Sequence, residues 1–339
     1  MIFVQKVYFA FVCKFLDKSK LTFILLFDII YTTILYEVKI VSNLLIKGIM
    51  PALVSSFTND GAILEGSIKA NIDRNYGQGA AGFYICGSTG EGPVLTVEQR
   101  KAIAECVVEH SNGRGIIVNH VGAASPFDAF ELSRHAKACG CDAISSVVPN
   151  FYYKYNEDEI VEYYKRIAAE SELPVIAYAQ SLLTGDPVSL MKKLIEVDGV
   201  IGVKYTLTDF YSMRRIKELN GGDINVINGP DEMLICGLSM GADAGIGSTY
   251  NLMCGEYCKL FNQFKSGDVD GARATQYKIN KVVEILIKYG VIRSIKHVLS
   301  LFDIPAGDIS FPGTALTAEE KASLEAELKS VGYFDEFNK

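Results

Sequence analysis

The run Val200-Ile201-Gly202-Val203-Lys204-Tyr205-Thr206 decides the fold. Three β-branched apolar residues and a glycine lead directly into one lysine. A run this short and this apolar reads as a buried parallel strand rather than a helix. Lys204 then stands where the strand ends, half inside a dry core. An ordinary amine, with a pKa of about 10.4, is protonated at neutral pH and is no nucleophile. Desolvation favours the neutral amine, which can attack a ketone to form a Schiff base. The run alone fits equally a strand-end lysine that snorkels to solvent. The neighbouring segments decide between the two.

Outward from this run the chain alternates strictly. Strands are expected at Lys47 to Leu53, Gly82 to Cys86, Gly115 to His120, Asp142 to Val148 and Leu173 to Tyr178 before it, and at Ile224 to Asn228 and Ala242 to Ile246 after it. Helices are expected between them, at Leu64 to Tyr76, Thr96 to Glu109, Ser125 to Ala138, Asn156 to Glu170, Val188 to Glu196, Thr208 to Leu219 and Glu232 to Met240. Thr96 with Gln99, and Asn156 with Glu159, have the spacing of helix-capping boxes. Helical crossovers force neighbouring strands to be parallel, and eight such units close into a (β/α)₈ TIM barrel. An open doubly wound sheet would show a phosphate-binding glycine run after its first strand. Val54-Ser55-Ser56-Phe57 stands there instead. Three more helices, near 268–289, 291–302 and 317–330, predict a C-terminal helical extension, and no linker splits 44–339, which is read as one catalytic domain.

The chain has 339 residues, 49% of them hydrophobic, enough for a large core. Its net charge of −7 argues against nucleic acid or an anionic membrane as the main partner. The eight cysteines lack a metal-type repeat, and the four histidines lack ligand spacing, so no metal is expected. Scattered cysteines in a large acidic chain suit a reduced, cytoplasmic protein. Residues 1–40 differ from the rest: they hold 9 of the 36 Phe and Tyr residues. As a membrane span, Leu21 to Tyr36 is short of the roughly 20 residues required and carries Asp28. As a signal peptide its apolar region lies late, without a small-residue cleavage site. The third reading is an upstream extension of the reading frame, outside the native fold, with the start near Val41-Ser42-Asn43.

A TIM barrel builds its active site at the C-terminal ends of its strands. Gly87-Ser88-Thr89-Gly90-Glu91-Gly92 follows the second strand, and such a glycine-rich turn converges N–H groups and hydroxyls on one small anion, such as a carboxylate. Read alone it is a tight turn. Tyr178 ends the fifth strand, beside the lysine strand, where a phenol can move protons. Phe151-Tyr152-Tyr153 adds phenols at the same rim. After the seventh strand, Asn228-Gly229-Pro230-Asp231-Glu232 offers carboxylates for sugar hydroxyls, or caps for the next helix. Gly245-Ile246-Gly247-Ser248-Thr249 follows the eighth.

The Gly-Ser-Thr-Gly-Glu loop, the strand-five tyrosine and the strand-six lysine together resemble the pyruvate-dependent class I aldolases of the dihydrodipicolinate synthase and N-acetylneuraminate lyase superfamily, over about Lys47 to the C-terminus. Leu183 stands where the synthases usually carry a carboxylate-binding arginine. Lys204-Tyr205-Thr206, Gly229-Pro230-Asp231-Glu232 and Gly245 to Asn251 are similar to the neuraminate lyase branch. The resemblance implies Lys204 as imine former, Tyr178 as proton shuttle and Tyr152 as a second phenol, often contributed across a subunit contact. It implies Ser88 and Thr89 on the pyruvyl carboxylate, with Thr206, Gly229, Asp231, Glu232 and Ser248 along the sugar-derived chain. The chain departs from the family pattern at Ala179-Gln180-Ser181, at the extra Asn150, and at Ile292, where some lyases carry an aromatic.

The implied reaction is reversible aldol cleavage of N-acetylneuraminate to N-acetylmannosamine and pyruvate. No cofactor is expected, because the imine supplies the electrophile, and the implied assembly is a homotetramer. Competing readings are a sister aldolase for another 2-keto-3-deoxy sugar acid, a dihydrodipicolinate synthase-like enzyme, and a non-catalytic keto-acid-binding barrel.

Overall fold

The computed structural model describes residues 44–148, 153–180 and 185–337. Residues 1–43, Asn150, Tyr152, Ser181 and Leu183 lie outside them, and with them the readings placed on those positions. Eight strands form one sheet: β1 (Gly48–Pro51), β2 (Gly82–Ile85), β3 (Ile116–His120), β4 (Ala143–Val147), β5 (Val175–Ala179), β6 (Val200–Tyr205), β7 (Asn225–Asn228) and β8 (Ala244–Gly247). Each strand from β2 to β8 pairs in parallel with the next, and β8 pairs with β1. A parallel bridge between Ala52 and Tyr84 makes the last seam, with the Leu53 N–H donating to the Tyr84 carbonyl at 2.9 Å. The expected TIM barrel is therefore the observed fold, and the open sheet is excluded.

Between the strands run α1 (Glu65–Gly77), α2 (Val97–Ser111), α3 (Pro126–Cys139), α4 (Glu157–Ser171), α5 (Pro187–Leu194), α6 (Phe210–Lys217) and α7 (Leu234–Ser239). Local chemistry fixes where they start. Thr96 and Asn156 form complete capping boxes with Gln99 and Glu159, satisfying N–H groups the first turn leaves unpaired. The strands are buried on both faces, as helices on the outside require. In β6, Val203 and Tyr205 join the apolar layer beneath the helices, while Lys204 turns to the barrel interior.

After β8 comes α8 (Tyr250–Lys265), a helix the sequence pattern does not announce. It starts without a side-chain cap, Met253 breaks its geometry with φ −134° and ψ 30°, and Gly255 sits inside it. All three features blur the periodicity on which a helix is read. The extension continues with α9 (Val269–Tyr289), α10 (Val291–Ser300), α11 (Ala318–Ser330) and the short α12 (Tyr333–Glu336). The buried residues Ala272, Thr275, Ile279, Val282, Val283 and Leu286 form the inner stripe of α9. Among the described residues, no helix is long and apolar enough to cross a membrane.

Candidate active site

The register of β5 and β6 sets Tyr178 directly beside Lys204. Both are 6% exposed. Lys204 Nζ lies 4.2 Å from the centroid of the Tyr178 ring and 4.3 Å from that of Tyr84, so the amine sits between two phenol faces. A cation is attracted to such faces, the more so where water is excluded. Burial pushes the Tyr178 phenol up, but the charge of Lys204 and the approach of Thr206, Ser88 and Lys204 outweigh it and bring the group below its ordinary value. Ser88, Thr206 and Lys204 thus converge on one phenol. Ser88 itself stands exposed at the mouth.

The glycine-rich turn closes on itself. The Glu91 N–H donates to the Ser88 carbonyl at 3.1 Å and the Gly92 N–H to that of Gly87 at 3.0 Å. A side chain at 92 would place its first carbon 1.8 Å from the Cys86 carbonyl oxygen, so only glycine fits. Thr89 shares a 2.7 Å hydrogen bond with Ser248, joining this turn to the loop after β8. Glu91 has left-handed backbone, φ 56°, and its buried carboxylate pairs with Lys296 of α10 at 2.6 Å. It also accepts the Ser310 N–H at 2.6 Å.

Asp231 and Glu232 follow β7 but occupy different environments. Asp231 is buried and caps no following helix. One of its oxygens accepts the N–H and the hydroxyl of Thr249, at 2.7 and 2.6 Å, which holds the loop after β8. Burial pushes its carboxyl up to about 6, against the pull of the Thr249 donors. Glu232 is exposed at the rim, and its backbone carbonyl accepts Asn280 at 3.0 Å. At Gly229 a first side-chain carbon would fall 1.9 Å from Thr206 Oγ1, so only glycine leaves room for that hydroxyl. Thr206 Oγ1 is buried beside the Tyr178 phenol.

The structure brings Ser88, Thr89, Tyr178, Lys204, Thr206, Gly229, Asp231 and Ser248 to the C-terminal mouth of the barrel, with Glu232 at its edge. Tyr152 lies outside the described residues.

Two residues escaped the sequence reading. Tyr84 on β2 packs edge-to-face against Tyr178, centroids 6.2 Å apart, presents its ring to Lys204 beside it and hydrogen-bonds Ser145 at 3.2 Å. His120 on β3 packs edge-on against Tyr178, centroids 6.1 Å apart. Its Nε2 accepts the Val147 N–H at 3.1 Å. Burial keeps the ring neutral, and the positive charges of Arg100 and Lys204 push the same way. A tyrosine and a histidine at inward parity in mostly apolar strands were the available signal.

Residues 45–331 match the dihydrodipicolinate synthetase family. The chain belongs to that family. It is 36% identical over 262 residues to the N-acetylneuraminate lyase of Escherichia coli, across 76% of this chain and 88% of that protein. The structure is similar to Proteus mirabilis N-acetylneuraminate lyase, with a TM-score of 0.82 and 30% identity, over 86% of this chain and 100% of that one. A catalytic lysine mutant of Ruminococcus gnavus sialic acid aldolase also has a TM-score of 0.82, with 26% identity over 86% of this chain and 97% of that one.

Proposed function

We propose that this family member is an N-acetylneuraminate lyase, a class I aldolase that works through a Schiff base on Lys204. The observation that carries the reading is the meeting of Lys204, Tyr178 and Ser88 at the barrel mouth, each on a different strand end. The lyase relatives supply the substrate class.

In this reading, neutral Lys204 adds to the C2 ketone of the open-chain sugar acid, and loss of water gives the protonated imine. Ser88 and Thr89 hold the substrate carboxylate. Tyr178 takes the C4 hydroxyl proton as the C3–C4 bond breaks. The bonding electrons pass to the imine, leaving an enamine and N-acetylmannosamine. Protonation at C3 and hydrolysis return pyruvate and the free amine. Thr206, Gly229, Asp231, Glu232 and Ser248 line the polyol, and Tyr152 serves as the second phenol. On the same reading the protein acts in the cytoplasm as a homotetramer in sialic acid catabolism; its unpaired cysteines support a reducing compartment.

Borohydride reduction in the presence of pyruvate tests the reading. It traps a covalent adduct on Lys204, and Lys204→Ala loses both the adduct and pyruvate release from N-acetylneuraminate. Active protein without the adduct overturns the mechanism. Faster cleavage of 2-keto-3-deoxygluconate than of N-acetylneuraminate moves the substrate to the sister aldolases.

A further inference from the structure

A second group of reactive side chains lies at the opposite end of the barrel. Helix α3 ends at Cys139, Gly140 turns the backbone with φ 92°, and Cys141 leads into β4. The reversal brings the two sulfurs to 3.7 Å, in contact though longer than the roughly 2.0 Å of a disulfide. Cys139 is partly exposed in a cleft of about 400 Å³ that it lines with Glu105, Val108, Glu109, His135 and Ala138. Cys141 is buried behind it, 4% exposed. His135 precedes Cys139 by four residues, which puts both on one helical face. Its Nε2 lies 2.8 Å from Glu105 of α2, and its Nδ1 is buried without a hydrogen-bond partner.

We propose that Cys139 and Cys141 form a thiol–disulfide exchange site whose substrate class is the low-molecular-weight disulfide. Cys139 is the attacking thiol, Cys141 the resolving one. The Cys139 thiolate attacks one sulfur of the small disulfide, forming a mixed disulfide and expelling one thiolate. Cys141 then gives up its proton and attacks the Cys139 sulfur. The protein disulfide forms and the second small thiol leaves. Two protein thiols are oxidised and one small disulfide is reduced. Neither residue touches the barrel mouth, so the site stands independently of the lyase reading.

The surroundings favour these roles. The Cys141 S–H bears on Cys139 most strongly and His135 adds to it; burial and Glu105 oppose them, and the Cys139 thiol comes down to about 7. Cys141, by contrast, is pushed far up by Cys139 and by burial, with Cys86 and Asp142 acting the same way. At pH 7 a thiol with a pKa near 7 is about half thiolate, against roughly 3% for an ordinary one. Its lower nucleophilicity returns about fivefold, so the net gain is about threefold. Cys254 and Cys258 supply an internal comparison. Their sulfurs are 3.9 Å apart on one helix, and Cys254 brings the Cys258 thiol down without any contribution from a histidine.

The test uses the full chain with oxidised glutathione at pH 7, read by peptide mass. Cys139 and Cys141 are expected to lose two hydrogens together and to keep no glutathione. Cys141→Ser, and Cys141→Ala should the serine variant misfold, stop at a glutathione adduct on Cys139. Cys139→Ser takes up none at Cys141. Loss of the Cys139 thiol runs about threefold faster than that of an unstructured cysteine peptide at pH 7, and slower than the peptide at pH 9. His135→Gln reduces that advantage without abolishing it. Glutathione spread evenly over Cys139, Cys236 and Cys258, or a stable adduct on Cys139 in the unaltered chain, overturns the proposal.

Discussion

Tyr178 and Lys204 are cross-strand neighbours: the β5–β6 register pairs them, and Lys204 Nζ stands 4.2 Å from the Tyr178 ring centroid. The backbone ladder, rather than a flexible loop, therefore fixes the separation of phenol and amine. Such rigidity is what proton transfer timed with bond cleavage requires. Under the proposed chemistry, Tyr178→Phe keeps the ring face over Lys204 and removes only the proton carrier. The expected result is a fall in kcat of roughly 10²- to 10⁴-fold with little change in KM. Borohydride trapping of pyruvate on Lys204 should survive. Unchanged kcat in Tyr178→Phe would refute the shuttle.

Tyr84 adds a second ring beside the amine, its centroid 4.3 Å from Lys204 Nζ. The protonated imine is a cation, so this face stabilises it relative to the neutral carbinolamine. A desolvated cation–π contact is worth about 0.5–2 kcal/mol, or roughly 2- to 30-fold in rate. Tyr84→Phe should stay near the parent activity, losing only the Ser145 hydrogen bond. Tyr84→Leu should lose activity within that range and form the trapped adduct more slowly. Equal rates for the two variants would show that the ring face contributes nothing.

How much of this was legible in the sequence depended on whether a residue announces itself locally. The barrel was readable because the strands are short, mostly apolar runs and several of the helices carry their own caps, as at Thr96 and Asn156. Helix α8 lacks a cap and holds Gly255, so it left no such mark. Lys204, Tyr178 and the Ser88–Thr89 turn could be placed by counting strands, since their positions follow from where strands end. The roles of Tyr84 and His120 depend on which wall of the closed barrel they face. Sequence order does not give that directly, because it emerges only when β2 and β3 curve round to oppose β6. Asp231 and Glu232 look equivalent as neighbours in the chain, yet one is buried under the loop after β8 and the other is exposed.

That difference makes Asp231 a source of pH-dependent stability. Its carboxyl is raised from 3.8 to about 6 in the folded protein, mainly by burial. The native state then holds the proton more tightly than the unfolded chain does. Stability from this group is present in full below pH 3.8 and is lost as the pH climbs through about 6. The loss amounts to roughly 3 kcal/mol across the window. Asp231→Asn cannot titrate, so the stability difference between variant and parent should shift in the variant's favour as pH rises from 4 to 7. Urea unfolding at a series of pH values measures it, and a flat difference would mean that Asp231 titrates normally.

The glycine-rich turn after β2 is tied to the C-terminal extension through Glu91 and Lys296, whose side chains are 7% and 1% exposed. Lys296 also donates to the Asp308 carbonyl at 2.9 Å and lies 3.7 Å from the centroid of the Phe57 ring. Burial lowers the lysine, and Glu91 works against that shift. Removing one partner strands the other charge in the core, which typically costs 3–5 kcal/mol, whereas replacing both with apolar residues is often far milder. Lys296→Met should therefore destabilise by about that amount, and Glu91→Leu with Lys296→Leu by clearly less than the single change. Glu91 also holds a left-handed backbone that a β-carbon resists, and the pair adds to the backbone hydrogen bonds that close the turn around it. Once released, the turn should settle elsewhere and move Ser88 and Thr89 with it. Under the proposed function, both variants should then show a raised KM for N-acetylneuraminate and weaker pyruvate binding, beyond any loss of folded protein. Denaturant unfolding alongside steady-state kinetics separates the two effects. An unaltered KM in the folded double variant would show that the turn holds its shape without help from α10.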